Sequence, residues 1–158
     1  MTLAVRPLIA ADRDALRAVL NDIIATGGTT AHEDPFTADG FAAHLAGARV
    51  VHVVLDGGAP VGLQYLAEDP RLPAGWLAIA TFTRRAPPVP GAGRALFAAT
   101  SAWARGAGVT AIDATIRADN TGGLAYYGRM GFETYRTWPA VPLRDGTPVD
   151  RIAKAWRP

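Results

Sequence analysis

The sequence predicts one α/β domain spanning residues 1–158: a mixed β-sheet of about seven strands with helices on both faces. Three observations carry this. Apolar runs of strand length alternate with stretches of helical period, in the order β-α-α-β-β-β-α-β-α-β-β. Asp56-Gly57-Gly58 and Asp145-Gly146 stand between strand-like runs as hairpin turns, so part of the sheet is antiparallel. A strand, the small residues Gly91-Ala92-Gly93 and a helix follow one another, so helices are interleaved with the strands.

Leu3 to Arg6 reads as a short strand. Ala11 to Ala25 carries Leu16, Val19, Leu20, Ile23 and Ile24 at helical spacing, with Asp12 and Asp14 complementing the N-terminal dipole and Gly27-Gly28 stopping the helix. Thr29 to Phe36 is polar and turn-like, and Thr37 caps a short helix through Leu45. Arg49–Leu55 and Val61–Leu66 form a hairpin, and Trp76–Arg84 adds a strand. A helix is expected over Arg94–Ala107, a strand over Thr110–Ile116, and a short helix over Thr121–Met130 capped by Asn120 or Asp119. Phe132–Trp138 and Val149–Trp156 close the chain as strands.

Composition removes several kinds of chemistry. At 158 residues, 49% hydrophobic and 19% charged, the chain has the makings of a folded core. Cysteine is absent and Ser101 is the only serine, so a Ser- or Cys-based covalent mechanism is not expected. His32, His44 and His52 lack ligand spacing, and no metal site is expected. The net charge is +2, and arginines are scattered rather than striped, which does not suit nucleic acid. No apolar run approaches membrane-spanning length and no signal peptide is evident, so the expectation is a cytoplasmic protein without a membrane partner.

Two motifs carry chemistry. Gly91-Ala92-Gly93 opens a helix, where free backbone N–H groups can cradle a phosphate, and Arg84, Arg85 and Arg94 flank it. A Rossmann dinucleotide turn is the rival, because Asp113 lies about twenty residues past Gly93. Against it, Leu96 occupies the third glycine's place and a three-proline loop precedes the turn. A Walker loop fails for want of Gly-Lys-Ser/Thr. The second motif, Asn120 through Phe132, sets an amide and the Tyr127 phenol on one short helix before a Gly-Phe turn.

These residues resemble the GNAT superfamily of N-acetyltransferases. Gly91-Ala92-Gly93 matches the second half of R/Q-x-x-G-x-G/A, and Asn120, Gly123, Tyr126, Tyr127, Gly131 and Phe132 match N-x-x-A-x-x-F/Y-Y-x-x-x-G-F. Val5-Arg6-Pro7, Thr29-Thr30-Ala31 and the closing hairpin resemble the phosphinothricin acetyltransferase branch. The resemblance implies acetyl-CoA as cosubstrate and a small-molecule amine or amino acid as acceptor. It also carries a homodimer as an expectation.

Residue by residue, it implies that the backbone of Thr81, Phe82 and Thr83 pairs with the pantetheine arm. Val89, Gly91, Ala92, Gly93 and Arg94 would wrap the pyrophosphate, and Asn120 would bond the arm. Tyr127 would face the departing sulfur as general acid. One departure is plain: Pro88 stands where the family usually has Arg or Gln and Pro90 where it often has another basic residue, and Pro87, Pro88 and Pro90 remove three donors. Compensation by Arg84, Arg85 or Arg94 is one expectation; a catalytically weak coenzyme-A-binding sensor is the other.

A base is harder to find. An amine of pKa about 10.4 is neutral in roughly one molecule in 2,500 at pH 7, a cost of about 4.6 kcal/mol. Many family members place a glutamate on the central strand, yet no carboxylate occurs from Trp76 to Ile112. Glu33 is the sequence's candidate, with His32 and His52 behind it. Phe36, Phe41 and Tyr65 are read either as walls of an acceptor pocket or as core.

Overall fold

The computed structural model describes residues 2–158. Its strands are β1 (Leu3–Pro7), β2 (Val50–Asp56), β3 (Ala59–Ala67), β4 (Trp76–Thr83), β5 (Ala111–Arg117), β6 (Glu133–Pro142) and β7 (Pro148–Trp156). They form one seven-stranded sheet in the order β1-β2-β3-β4-β5-β7-β6. Every neighbouring pair is antiparallel except β4 and β5. The predicted mixed α/β sheet is therefore observed.

The helices are α1 (Arg13–Thr26), α2 (Ala38–Ala46), α3 (Ala92–Gly106) and α4 (Thr121–Arg129). Leu16, Leu20 and Ile23 of α1 pack with Phe41 and Leu45 of α2 against Val53, Leu63 and Phe82 on one sheet face. Phe97 of α3 and Tyr127 of α4 pack with Leu66, Leu77 and Ile112 on the other. Strand alternation explains this partition, since neighbouring residues of one strand face opposite sides. Among the described residues, no helix is long and apolar enough to cross a membrane.

Several sequence-based boundaries shift. Residues Ala10–Asp12 form a 3-10 turn ahead of α1, because Asp12 turns back to accept hydrogen bonds from the Ile9 N–H (3.0 Å) and both Arg6 guanidinium nitrogens (2.7 and 2.9 Å). Thr37 caps α2 as expected, accepting from the Gly40 N–H at 3.0 Å. The third helix begins at Ala92 rather than Arg94. Gly91 is its N-cap, in the left-handed conformation (φ 82°) that a residue with a Cβ adopts only at a cost.

The aromatics read as candidate pocket walls belong to the core. Phe41 and Tyr65 are buried in the α1–α2 layer with Phe36 packed against them. The Tyr65 hydroxyl is bound to His44 Nε2 at 2.8 Å.

One topological feature positions everything that follows. Strands β4 and β5 pair only at Trp76–Ala111, Leu77–Ile112 and Ala78–Asp113. Beyond Ala78, β4 continues to Thr83 on its β3 side, and β5 continues to Arg117 on its β7 side. The two strands splay apart, and the edge of β4 from Ile79 to Thr83 is left without a strand partner.

Candidate active site

The splay opens a cleft of about 420 Å³. Its walls are the free edge of β4, the facing part of β5, the first turns of α3 and α4, and the Thr29–His32 segment after α1. A second hollow of about 530 Å³ continues it outward between Pro88-Val89-Pro90 and Asp119–Gly123. Thr83, Arg85, Asn120, Gly122 and Gly123 line both, so the two make one groove running past the mouths of α3 and α4.

The α3 mouth has the character expected of an anion cradle. No side chain caps this helix, and the Ala92 N–H is taken by the Val89 carbonyl at 3.2 Å. First-turn amides have no intrahelical acceptor, which leaves those of Gly93 and Arg94 unpaired among the described residues. Val89 and Ala92 are buried with Leu96, Val54 and Val61, anchoring the loop from beneath. The proline loop is braced by Arg84, whose Nε donates to the Pro87 carbonyl at 3.0 Å. Arg85 lines both hollows and pairs with no carboxylate among the described residues, whereas Arg94 is exposed and lines neither. Of the three flanking arginines, Arg84 lines only the outer hollow with its Nε committed to Pro87, and Arg85 is the one that lines both.

The α4 mouth is built more rigidly than its sequence suggests. Asn120 accepts from the Gly123 N–H at 2.9 Å, a side-chain cap, while its Nδ2 donates to the Thr29 carbonyl at 2.8 Å. Arg117, the last residue of β5, holds Asp119 through two hydrogen bonds (3.0 and 2.7 Å) and donates to the Thr30 carbonyl at 3.1 Å. The Thr29-Thr30 segment is thus pinned over the groove from two sides. Thr29 Oγ1 is buried beside it without a hydrogen-bond partner among the described residues.

On the floor, Tyr127 and Tyr126 project from α4 towards β4. The Tyr127 hydroxyl lies 2.8 Å from Thr81 Oγ1, and Gln64 Nε2 donates to both Thr81 Oγ1 (2.9 Å) and Tyr126 Oη (3.0 Å). Burial pushes the Tyr127 phenol well above its ordinary value, only partly offset by the bond to Thr81. Tyr126 is pushed up to about 12, again chiefly by burial. Both remain protonated donors at neutral pH.

Thr81, Phe82, Thr83, Gly93, Asn120 and Tyr127 all line the cleft. Glu33 does not. It is exposed, and its carboxylate accepts the backbone N–H of Arg144 at 3.0 Å, tying the segment after α1 to the β6–β7 turn. His52 lies under α3 against Thr100 Oγ1 (3.1 Å), away from the cleft. His32 does reach the cleft wall, stacked edge-on against Phe36 and His44.

Asp113 has no part in the groove. Its neighbours Ile112 and Ala114 face α3 and α4, so Asp113 faces the opposite side, where the Tyr135 hydroxyl donates to it at 2.6 Å. That rules out the ribose-binding role a Rossmann turn requires. On that side a chamber of about 580 Å³ lies behind the splay, walled by Asp113, Tyr135, Trp138 and Arg71. It shares Ile79, Thr115 and Arg151 with the cleft. Arg151 Nε is buried there without a hydrogen-bond partner among the described residues. Sequence reasoning missed Thr115, Arg117, Tyr126 and Arg151; only the Tyr126 position carried a signal, as the residue preceding the phenol of the second motif.

A groove lined by Gly93, Gly122 and Gly123, with unpaired amides and Arg85 at one end and an unpaired strand edge at the other, fits a long thioester with a diphosphate.

The model of the Acetyltransferase (GNAT) family matches residues 17–132. No curated protein sequence matches the chain. Among solved structures, an N-acetyltransferase from Staphylococcus aureus Mu50 superposes with a TM-score of 0.90 at 17% identity over 99% of each chain. A ribosomal-protein-alanine N-acetyltransferase from Brucella melitensis gives 0.89 at 22%, over 98% of this chain and 99% of that one. A GNAT superfamily phosphinothricin acetyltransferase from Sinorhizobium meliloti, in complex with AcCoA, gives 0.89 at 20%, over 99% and 89%.

Proposed function

This chain belongs to the acetyltransferase (GNAT) family, and on that premise we propose that it moves an acetyl group from acetyl-CoA directly to the amine of a small molecule or an amino acid. The observation that carries the reading is the convergence, in one cleft, of the unpaired β4 edge, the α3 mouth and the Tyr127 hydroxyl.

Acetyl-CoA supplies an activated acyl group. The residues of the chain hold and polarise it. Backbone groups of Thr81, Phe82 and Thr83 continue the sheet onto the pantetheine arm, as an added strand would. The amides of Gly93 and Arg94, with Arg85, receive the pyrophosphate; Val89, Gly91 and Ala92 set that turn. Asn120, committed to its cap and to Thr29, orients the α4 mouth and keeps one Nδ2 hydrogen for the arm.

Tyr127 donates a hydrogen bond to the departing sulfur. A thiol leaves with pKa about 8.5, so a phenol pushed above its ordinary value stabilises the thiolate without first ionising. General acid assistance of this kind is worth about 10²–10⁴-fold.

The acceptor approaches from the chamber behind the splay, through the shared opening at Ile79, Thr115 and Arg151. Arg151 Nε, buried at that opening without a hydrogen-bond partner among the described residues, favours an acceptor with a carboxylate, which points to an amino acid.

Thiol release, measured with acetyl-CoA against a panel of amines and amino acids, tests the reading. Amine-dependent release is expected. Tight acetyl-CoA binding with no release above hydrolysis for any amine would make this chain a coenzyme-A sensor instead.

A further inference from the structure

We propose that Thr115 and Asp113 form the proton exit of this site, with the Thr115 hydroxyl receiving a proton from the acceptor amine and passing its own to the Asp113 carboxylate. This rests on the transfer reaction proposed above and supplies the base that Glu33, tied to Arg144 outside the cleft, does not provide.

The geometry is specific. Thr115 is the β5 residue that lines both the cleft and the chamber behind it, and it is exposed between buried neighbours. Its hydroxyl donates to Asp113 Oδ2 at 2.9 Å, while Tyr135 donates to Oδ1 at 2.6 Å. Asp113 itself is only 4% exposed, so an amine in the shared opening meets the Thr115 oxygen first. A hydroxyl that already donates to a carboxylate has its lone pairs free to accept from an ammonium. Among the described residues no carboxylate lines the cleft, and the only other one in the chamber, Asp69, is engaged by Arg71 at 2.7 and 3.0 Å.

The step balances. The ammonium first loses one proton: its N–H bond breaks, an O–H bond forms at Thr115, and the original Thr115 proton moves to Asp113 Oδ2, leaving a neutral amine and a neutral carboxyl. The freed nitrogen pair then forms the C–N bond at the acetyl carbon while the electron pair of the breaking C–S bond departs on the sulfur, facing Tyr127. The second N–H proton goes to that sulfur, which leaves as the thiol. The environment suits the recipient. Burial raises the Asp113 carboxyl and Asp69 adds to the rise, while the bonds from Tyr135 and Thr115 and the charge of Arg71 oppose it. Arg151 lines the same chamber from β7, and Tyr127 lies on the far side of β5.

The test compares two small amines with acetyl-CoA at pH 7: propylamine, which is protonated, and methoxyamine, which is already neutral. Asp113→Asn and Thr115→Val should each lower the propylamine rate at least tenfold more than the methoxyamine rate, and Thr115→Ser should restore the wild-type ratio. Equal losses for both amines would assign Asp113 a structural role and overturn the proposal, as would a wild type that binds acetyl-CoA and turns over neither amine. A readout without turnover is 13C NMR of aspartate-labelled protein. The Asp113 carboxyl should titrate above the ordinary aspartate value, and titration at or below it would also overturn the proposal. Loss of acetyl-CoA binding by the wild type itself, seen by calorimetry, would instead overturn the parent reading.

Discussion

The hydroxyl of Tyr126 donates to the backbone carbonyl of Gly93 at 2.7 Å, locking the first turn of α3 to the middle of α4. The contact is so close that a Cβ on residue 93 would lie 2.6 Å from Tyr126 Cε1. Both walls of the proposed coenzyme groove are therefore held at one spacing by a single half-buried phenol, which Gln64 fixes from beneath at 3.0 Å.

Gly93→Ala should force those walls apart. The ring is packed and hydrogen-bonded on both sides, so relief has to come from movement of α3 or α4. The expected outcome is a drop in acetyl-CoA affinity of at least tenfold by calorimetry, with a destabilisation of about 1–3 kcal/mol. Unchanged affinity would mean that the α3–α4 spacing does not set the groove.

Tyr127→Phe removes one hydroxyl from a buried site and leaves the ring packing intact. Turnover should fall about 10²-fold or more with coenzyme affinity almost unchanged. Steady-state kinetics beside calorimetry separates the two quantities, and an unaltered kcat would strip Tyr127 of its acid role.

At Gly91 two effects can be told apart. The left-handed φ of 82° makes Gly91→Ala cost about 1–2 kcal/mol in strain alone. Gly91→Glu adds a carboxylate beside the anion cradle. The alanine variant should melt lower but still bind acetyl-CoA, whereas the glutamate variant should not bind. Comparable binding by both would remove the phosphate from this turn.

Replacing Asn120 tests the rigid α4 mouth. Asn120→Ala loses the cap and the tie to Thr29 together, at a cost of about 1–2 kcal/mol. Asn120→Asp keeps a capping oxygen and loses only the donor to Thr29. Thermal melts should therefore rank wild type above Asp above Ala, and limited proteolysis should cut the 27–31 segment faster in both variants.

Stability should fall as the solution is acidified below neutrality. Burial holds His32, His44 and His52 below their ordinary values, with the neighbouring His44 adding to the effect on His32. The unfolded chain, with histidine near pKa about 6.5, takes up protons before the folded one does. Their contribution is complete above about pH 6.5 and is lost as pH falls through the lower folded values. A Tm measured from pH 7.5 to pH 5 should decline, and His32→Gln should flatten the decline. A flat wild-type profile would show that these rings titrate as they do in water.

How far each feature could be read follows from its range. The mouths of α3 and α4 are local: small residues beside a helix start, and an amide three residues before the N–H it caps, lie within one turn of chain. The α3 start lies two residues before the one the sequence predicts, because Ala92 and Gly93 resemble turn residues and only the buried packing of Ala92 draws them into the helix. Glu33 is placed outside the cleft by its partner Arg144, which lies 111 residues away and leaves no local signal.

By itself, the order of apolar runs and turns determined the α/β class and the two helix mouths, because hydrophobic period and capping act between neighbours. Only the tertiary structure decided where β4 and β5 part, which arginine lines both hollows of the groove, and that Asp113 lies behind the sheet rather than in the groove. Those outcomes depend on strand pairing and on contacts between residues 46 to 111 positions apart, such as Thr81 with Tyr127 and Glu33 with Arg144. No local preference encodes such distances; they are set when the sheet closes and each side chain finds the face its register assigns.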